Sequence, residues 1–457
     1  MRREKQLLDN ALEAWTSLDE FRRRRRRCKD FTFGRQWSDR HRLSDGRVVS
    51  EEAGWLDRGR VPLCNNLIRQ LVKSIVGRWR HLQRDEKVGV ATDIDARTFE
   101  EFLISGCAIQ RVERGKISPV GPARVFFRRF ERSDGDDCSF VGMLHDMRPA
   151  EVLRRFSAGD AVRFGEIHAL YQGAASENSS LRLNASASPC CGAESDFFHA
   201  MSPGMWRVIE VWRRGCTPVL RIHDPERGAY ATGDYDEETL RRIGEMNARR
   251  RKRGGKELRW YPDLDDGWEY FWLAPGGEVL AYGKGENHPF VMALYPMVDG
   301  EVRSLVDDVI DQQKYVNNLV MLLDDVLRAS AKGIVLFPTD QLPRGMTWND
   351  VRRIWAQPGG ILPFRRTSKN IMPYQLNTSG TVSGATEMLQ TQLKLFDEIS
   401  GTNASSRGSG STAKGAEMMA RELEQATVSV YDLLSTFRGF TERRDEMLRG
   451  NSRSATD

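Results

Sequence analysis

The chain has 457 residues, of which 40% are hydrophobic and 29% are charged, and its formal net charge is +5 at pH 7. This length predicts several domains or one extended subunit with true hydrophobic cores. No run of about eighteen apolar residues is present, which argues against a membrane-spanning helix. Seven scattered cysteines do not form a disulfide framework and indicate reduced thiols in a cytoplasmic setting.

A helix is predicted at Glu4–Lys29, where apolar residues recur at helical spacing. Its second half contains six consecutive arginines, Arg22–Arg27. Six residues exceed one helical turn, so these side chains surround the helix instead of forming a single basic face. Two interpretations stay open for the run, namely a helix end that is solvated or paired with acids at an interface, and contact with nucleic acid.

The next elements are shorter. An aromatic segment, FTFGRQWSD, precedes a helix that Asn65 or Asn66 can cap. Cys107–Val112 is predicted as a strand, and Val125–Phe130 and Ser139–Leu144 are predicted as a pair of strands. Residues 171–204 are rich in small and polar residues, which is typical of a loop.

Residues 206–294 predict a small module of helix and sheet. Trp206–Trp212 alternates as a strand does, and further strands follow that are joined by Asp-Gly and Gly-Gly turns. Glu237–Arg253 is predicted to be its helix and ends in a second basic run, Arg249–Arg253.

The longest predicted helix lies between a turn at Asp299–Gly300 and a stop at Lys332–Gly333. It contains no Gly or Pro, and its Val and Leu residues recur every three or four positions. Its polar stripe is acidic in a slightly basic chain. A solvated helix face is the simplest interpretation of this stripe, and a functional lining is the other. The stripe consists of Asp307, Asp311, Lys314, Asn318 and Asp325.

Beyond this helix, Ile334–Phe337 is predicted as a strand, and Ala385–Ile399 as a helix after a flexible loop. The last predicted helix, Ala413–Leu448, has an apolar side that one short neighbour could not bury. This side is predicted to pack against other copies of the chain.

No catalytic or cofactor-binding pattern is present. The sequence lacks a phosphate-binding G-x-x-x-x-G-K-[ST] loop, a G-x-S-x-G elbow and an H-E-x-x-H pair. Cys190 and Cys191 have His199 nearby, but adjacent cysteine side chains diverge and chelate a metal poorly. We therefore expect no enzyme activity, no metal and no cofactor.

Six segments, in this order, resemble the portal protein of tailed bacteriophages. This resemblance implies an α+β, predominantly helical subunit of a homo-oligomeric ring, commonly of twelve copies, at one capsid vertex. Double-stranded DNA would pass through the ring during packaging and ejection, with the major capsid protein, the terminase large subunit and the head–tail adaptor as partners. The protein would be located in the virion after assembly in the host cytoplasm, with no membrane partner. The segments are FTFGRQWSD, VPLCNNLIRQLVKSIVG, VIEVWRR, HPFVMALYPMVDGEVRSLVDDVIDQQKYVNNL, AKGIVLF and DEISGTNASS.

The resemblance also implies a division into wing, clip, stem and crown. The acidic stripe would line the channel and keep DNA off the wall, because phosphate binding strengthens with each basic contact. A channel loop would map to residues 372–384, with Asn377, Thr378, Ser379, Gly380, Ser383 and Gly384. The expected parts are wing at 1–205, clip at 206–294, stem helix at 295–333, a second wing portion at 334–400, and crown helix and tail at 401–457.

A different class of protein remains as the alternative. A basic DNA-binding or DNA-processing factor would use Arg22–Arg27 and Arg249–Arg253 to contact phosphates. Mass in solution separates the two hypotheses, because a ring of many subunits favours the portal protein.

Overall fold

The structure is a computed structural model that mixes helices and sheets and divides into two compact units. The sheet unit comprises Met1–Arg26, Arg80–Ser304 and Leu433–Asp457, and the long-helix unit comprises Arg27–Trp79 and Leu305–Asp432. The residues that the structure describes are 2–42, 46–57, 59–85, 92–128, 130–172, 196–332, 334–356, 363–365, 374–376, 382–401, 428 and 430–453.

The predicted order of helices and strands largely recurs, with one early difference. The helix predicted at 4–29 is two helices, because the chain turns at Leu18. The helices are α1 (Arg2–Ser17), α2 (Asp19–Thr32), α3 (Glu51–Asp57), α4 (Leu67–Asp85), α5 (Thr92–Ser105), α6 (Pro149–Ser157), α7 (Glu237–Lys252), α8 (Leu305–Lys332), α9 (Trp348–Ala356), α10 (Val382–Ile399) and α11 (Tyr431–Arg453). The strands are β1 (Arg40–Arg42), β2 (Val48–Ser50), β3 (Cys107–Glu113), β4 (Lys116–Pro119), β5 (Val125–Phe127), β6 (Phe140–Met147), β7 (Trp206–Asp224), β8 (Ala229–Asp234), β9 (Arg259–Leu273), β10 (Val279–Gly285), β11 (Phe290–Leu294), β12 (Pro296–Val298), β13 (Glu301–Val302), β14 (Ile334–Leu336) and β15 (Tyr374–Leu376).

The sheet unit is built on a six-stranded antiparallel sheet in the order β10–β9–β7–β6–β5, with β8 paired to β7. The predicted pairing of the strands near 125 and 140 is confirmed, because Phe126 lies opposite Gly142 in β6. A three-stranded sheet, β11–β3–β4, lies in the same unit. Both sheets join strands from the two sides of residue 205. Strands that pair can lie far apart in sequence, so the composition along the chain does not indicate which segments share a sheet.

The alternation of side chains along β7 determines which helix packs on each face of the sheet. Its odd-numbered residues Ile209 and Val211 belong to a buried cluster with α1, in which Trp15 packs edge-on against Phe126. Its even-numbered residues Leu220 and Ile222 pack against α7, through Leu240 and Ile243. Successive strand residues point to opposite faces, so α1 and α7 cover opposite faces of β7 at its two ends. Residues 217–265, which contain α7, are called the α7 module below.

The last helix, α11, corrects an expectation. Its apolar stripe was predicted to pack against other copies, but Phe437 and Phe440 are fully buried within the chain. The ring of Phe437 lies 4.7 Å from that of Phe99 on α5. The stripe is satisfied internally because α5 and the sheet unit supply the apolar surface. Packing against copies is therefore not required for this part of the helix.

The long-helix unit is organised by α8, whose predicted end at Lys332 and following strand, β14, are confirmed. Helix α10 packs along α8 and buries Phe396. Strand β14 pairs with β15 in an antiparallel ladder that places Ile334 opposite Leu376. The start of α8 differs from the prediction, since Glu301–Val302 forms a short strand, β13, before the helix begins at Leu305.

Candidate channel helix and its polar junction

Helix α8 has one apolar side and one polar side. The buried side chains recur at three- and four-residue steps, which is the spacing that places them on one helix face. Leu323, which belongs to the predicted apolar series, is only half-buried, and Leu327 is exposed. Burial is therefore strongest in the first two thirds of the helix. The buried apolar residues are Val306, Val309, Ile310, Val316, Leu319 and Met321.

The five residues of the predicted stripe do not share one environment. Asn318 is exposed, and the side chain of Asp311 is 91% exposed with Arg27 3.7 Å away. The Cys28 thiol lies 3.8 Å from Oδ1 of Asp307, and Asp325 pairs with Arg60.

Lys314 is the basic member of the stripe and is largely enclosed by two carboxylates. Its ammonium group donates to Asp39 at 2.8 Å and to Glu51 at 2.9 Å, and Arg27 also lies 3.2 Å from Asp39. Burial by itself would raise the pKa of Asp39, but the hydrogen bonds from Lys314 and Arg27 lower it below its usual range. Lys314 therefore ties α8 to α3 and to the segment after α2.

The predicted channel loop, 372–384, falls partly on described residues, and Tyr374–Leu376 within it is not a loop but strand β15, paired with β14. Ser383 and Gly384 lie in the first turn of α10, which begins three residues before the predicted Ala385. Asn377, Thr378, Ser379 and Gly380 lie outside the described residues.

A buried amide junction fixes α8 against the start of α4. The side-chain oxygen of Gln313 accepts hydrogen bonds from the backbone N–H groups of Leu67, at 2.9 Å, and Ile68, at 3.3 Å. These are the first two residues of α4, whose N–H groups have no partner within their own helix. Gln313 therefore caps a helix that lies about 250 residues earlier in the chain.

The junction continues one turn further along α8. The side-chain oxygen of Asn317 accepts from the N–H of Asn65 at 3.1 Å and from Gln313 at 3.2 Å. Its side-chain nitrogen donates to Gln36, which in turn donates to Asn66 at 3.2 Å. Gln36, Gln313 and Asn317 are at most 1% exposed. The amides therefore satisfy one another without bringing any charge into the interior.

Sequence reasoning missed these amides. Of the Gln312–Gln313 and Asn317–Asn318 pairs, only Asn318 was assigned, to the polar stripe, because an amide at a helix position usually meets solvent. One signal was available. Gln36, Asn65–Asn66 and the Gln-Gln and Asn-Asn pairs lie in three of the six segments on which the portal resemblance rests.

The arginine run of α2 is largely occupied by partners. Arg22 stacks on Trp15 at 3.7 Å, and burial lowers its pKa to about 10. Arg24 pairs with Glu20 and Glu301, and Arg25 makes two hydrogen bonds, of 2.6 and 2.9 Å, to Glu101. Arg23 pairs with Asp19, and Arg27 pairs with Asp39. These contacts favour the interface-pairing interpretation over nucleic-acid binding.

Ligand-type side chains give little further chemistry. Cys190 and Cys191 lie outside the described residues. In the part of the chain that the structure describes, no group of three or more His, Cys, Asp or Glu residues is arranged to hold a metal ion. None of the described helices is long and apolar enough to cross a membrane.

Comparison with known proteins identifies the class. Residues 110–449, about three quarters of the chain, match the sequence profile of the family described as Phage P22-like portal protein. No curated protein matches the chain. The match defines a phage portal protein, which is a structural component of the capsid that forms an oligomeric ring and acts in DNA packaging. Within that class, the chain belongs to the P22-like portal family.

Proposed function

We propose that α8 is the channel-lining stem helix of the portal ring and that Asp311 and Asn318 face the passing DNA. The observation that carries this proposal is the anchoring of α8. Buried amides fix its rotation, while Asp311, Tyr315 and Asn318 on its other side stay exposed. A lining must not hold the duplex, and each Lys or Arg that contacts phosphate adds affinity. An exposed carboxylate supports this role.

The other three residues of the stripe are proposed to position the helix. Asp307 lies beside Cys28, Lys314 bridges Asp39 and Glu51, and Asp325 pairs with Arg60. Their charges are engaged within the long-helix unit, so they contribute less to the field that DNA would meet. We propose that Asn377, Thr378, Ser379 and Gly380 form the channel loop, which leads into α10 at Ser383 and Gly384.

The division into portal parts is proposed with the boundaries given by the resemblance. The wing would comprise 1–205 and 334–400, the clip 206–294, and the stem 295–333. The α7 module supports the clip assignment, because it is a helix packed on its own end of the sheet. The crown would lie within 401–457, in the residues before α11, since α11 is buried in the sheet unit.

We propose partners that follow from this division. The clip would dock the terminase large subunit during packaging and the head–tail adaptor afterwards, and the wing would contact the major capsid protein. Twelve copies would assemble in the host cytoplasm. Each copy would present two different complementary surfaces, because a closed ring needs a heterologous contact.

Imaging and native mass spectrometry of the purified protein test the ring. We expect closed rings with a central channel and a mass corresponding to twelve subunits. A monomer or dimer at every protein and salt concentration, with salt-sensitive affinity for DNA, would instead favour the DNA-binding factor.

A single charge reversal tests the lining. We expect Asp311→Lys to leave ring assembly intact and to increase the DNA retained in the ring at low salt, because it adds one cation per subunit along the path. Glu151→Lys is the matched control, since Glu151 is exposed on α6 in the sheet unit. Equal retention by the two variants would show that Asp311 does not face the duplex.

A further inference from the structure

The α7 module carries two surfaces of opposite character. Helix α7 packs on the even-numbered residues Leu220 and Ile222 of β7. It also lies close to β8, since a Cβ placed on Gly233 would be 3.2 Å from Thr239 of the helix. The odd-numbered residues of β7 and their partners on β8 and β9 form the other face. Arg221 belongs to this odd face, opposite Thr232 of β8 and Tyr261 of β9.

The odd face exposes tyrosine rings beside carboxylates. Tyr230 is 77% exposed and Tyr261 is 56% exposed. Strand register adds Asp234 and Asp263 to the same face, because both lie opposite Val219. The guanidinium of Arg221 already bonds Asp263 at 3.1 Å. The face of an exposed tyrosine ring can contact the cation of an arginine or lysine from a partner, and the neighbouring carboxylates can form ion pairs with it.

Further acidic groups strengthen the complementarity. Asp265 lies opposite Thr217 of β7, on the odd face, and its side chain is 56% exposed and lies 3.4 Å from Arg221. Three carboxylates, those of Asp234, Asp263 and Asp265, therefore stand on the odd face against two guanidiniums, those of Arg221 and Arg259. Arg221 lies within ion-pair distance of both Asp263 and Asp265, so the face carries one more carboxylate than guanidinium and is net acidic.

The same module carries cations on the opposite side. At the C-terminal end of α7, Arg250 bonds Asp224 at 2.6 and 2.7 Å, and Arg251 bonds Glu257 at 2.7 Å. The neighbouring Arg249, Lys252 and Arg253 are exposed and make no ion pair with the described residues. Cations at a helix C-terminus are favourable for the helix, but that effect does not require three of them to remain unpaired.

We propose that these two surfaces bind each other between neighbouring copies, with the α7 cations of one subunit on the odd sheet face of the next. The inference rests on the proposed ring. Because the two surfaces are different parts of one module, the contact is heterologous, and a heterologous contact is the kind that forms a ring when the rotation between neighbours closes. The α7 module is then part of the ring-forming interface as well as a docking surface for other proteins.

Reversing each surface separately tests the pairing. The helix-reversed variant carries Arg249→Glu, Lys252→Glu and Arg253→Glu, and the sheet-reversed variant carries Asp234→Lys and Asp265→Lys. The second variant spares Asp263, so the Arg221–Asp263 bond of 3.1 Å is kept, while the longer Arg221–Asp265 contact of 3.4 Å is lost. Each variant places like charges across every contact, and we expect the protein concentration needed for rings to rise at least about tenfold.

Mixing the two variants provides the decisive measurement. In an equimolar mixture, each reversed helix meets a reversed sheet face only where the variants alternate, so rings should return with equal amounts of both chains. Alternation closes only with an even number of subunits, which a ring of twelve satisfies. Native mass spectrometry measures both the mass of the ring and the number of each variant chain in it.

Controls keep the result interpretable. Unchanged thermal unfolding of each variant shows that it is folded. Arg124→Glu, Arg148→Glu and Arg154→Glu together reproduce the charge change of the helix-reversed variant on exposed arginines elsewhere in the sheet unit. Rings formed by either reversed variant as readily as by the parent, or no recovery on mixing, would overturn the inference while leaving the portal ring in place. A parent chain that forms no rings would overturn the proposed function and this inference with it.

Discussion

The two compact units are each held by a buried polar cluster, but the clusters differ in chemistry. In the sheet unit, Arg444 of α11 is 2% exposed and pairs with Asp95 of α5, which is 4% exposed. In the long-helix unit, neutral amides of α8, Gln313 and Asn317, cap and support the start of α4. A buried ion pair is costly to break on one side only, because the remaining charge stays desolvated. A neutral amide junction loses less stability when one partner is removed, and its amide groups do not titrate.

Removing Arg444 tests the ionic cluster and should give the largest effect. We expect Arg444→Ala to destabilise the sheet unit by about 3–5 kcal/mol, since the carboxylate of Asp95 would lose its cation and keep the hydrogen bond from Gln110. Hydrogen exchange of α5 and α11 peptides measures the loss. The matched control is Arg449→Ala on the exposed side of the same helix, and equal protection in the two variants would show that the pair is not an anchor.

Adjacent asparagines of α8 test the amide cluster. Asn317→Leu removes the partner of the N–H of Asn65 and of the side-chain oxygen of Gln36, while the Gln313 amide nitrogen keeps the carbonyl of Asn65. The change should cost about 1–3 kcal/mol for each group left unsatisfied. Asn318→Leu, at the neighbouring exposed position, should change the free energy of unfolding little. Urea unfolding of both variants measures the difference. Similar midpoints would mean that the junction contributes little to stability.

Acid should weaken the sheet unit through Glu210. Burial by itself would raise the pKa of this carboxyl, but His145, 2.7 Å away, and Arg111 lower it to about 2. An unfolded glutamate has a pKa of about 4.3. A lowered folded pKa gives stability that is present above the unfolded value and is lost as the pH falls through the folded one. The sheet unit should therefore lose stability between about pH 4.3 and pH 2.

The variant Glu210→Gln checks this acid dependence. It should be less stable than the parent at pH 5 and should show a weaker loss of stability as the pH falls in that window. The measurement is the urea midpoint between pH 5 and pH 2, with local exchange reporting on β6 and β7. A parallel acid dependence of parent and variant would assign the effect to other carboxylates.

The exposed pairs of α8 should give the smallest effect. Arg60 and Asp325 are each more than one third exposed, so solvent screens their attraction. We expect Arg60→Ala to change the free energy of unfolding of the long-helix unit by less than about 1 kcal/mol. A loss as large as that of Asn317→Leu would show that this pair, and not the amide junction, holds the later part of α8.

Local patterns were sufficient for several elements. The end of α8 at Lys332, the strand after it and the pairing of β5 with β6 followed from periodicity and from Gly positions, because these features depend on neighbours in sequence. The order of six segments was also sufficient to recognise a portal protein, which the match over 110–449 confirms. The individual channel residues remain a prediction.

The tertiary structure decided which polar residues are exposed. Spacing placed Asp311, Lys314 and Asp325 on one stripe, but the positions of Asp39, Glu51 and Arg60, which are distant in sequence, determine which of these charges is neutralised. The same holds for α11, whose apolar stripe is covered by α5.

The sequence by itself determined most helices and strands and the family, because hydrophobic period and turn residues act over a few positions. Only the tertiary structure decided that Gln313 and Asn317 are buried caps, and that the α7 module has an acidic, tyrosine-bearing face opposite an unpaired basic one. The reason is physical. Whether a polar group is buried and paired depends on which distant segment packs against it. The group's own capacity for hydrogen bonds does not specify that segment.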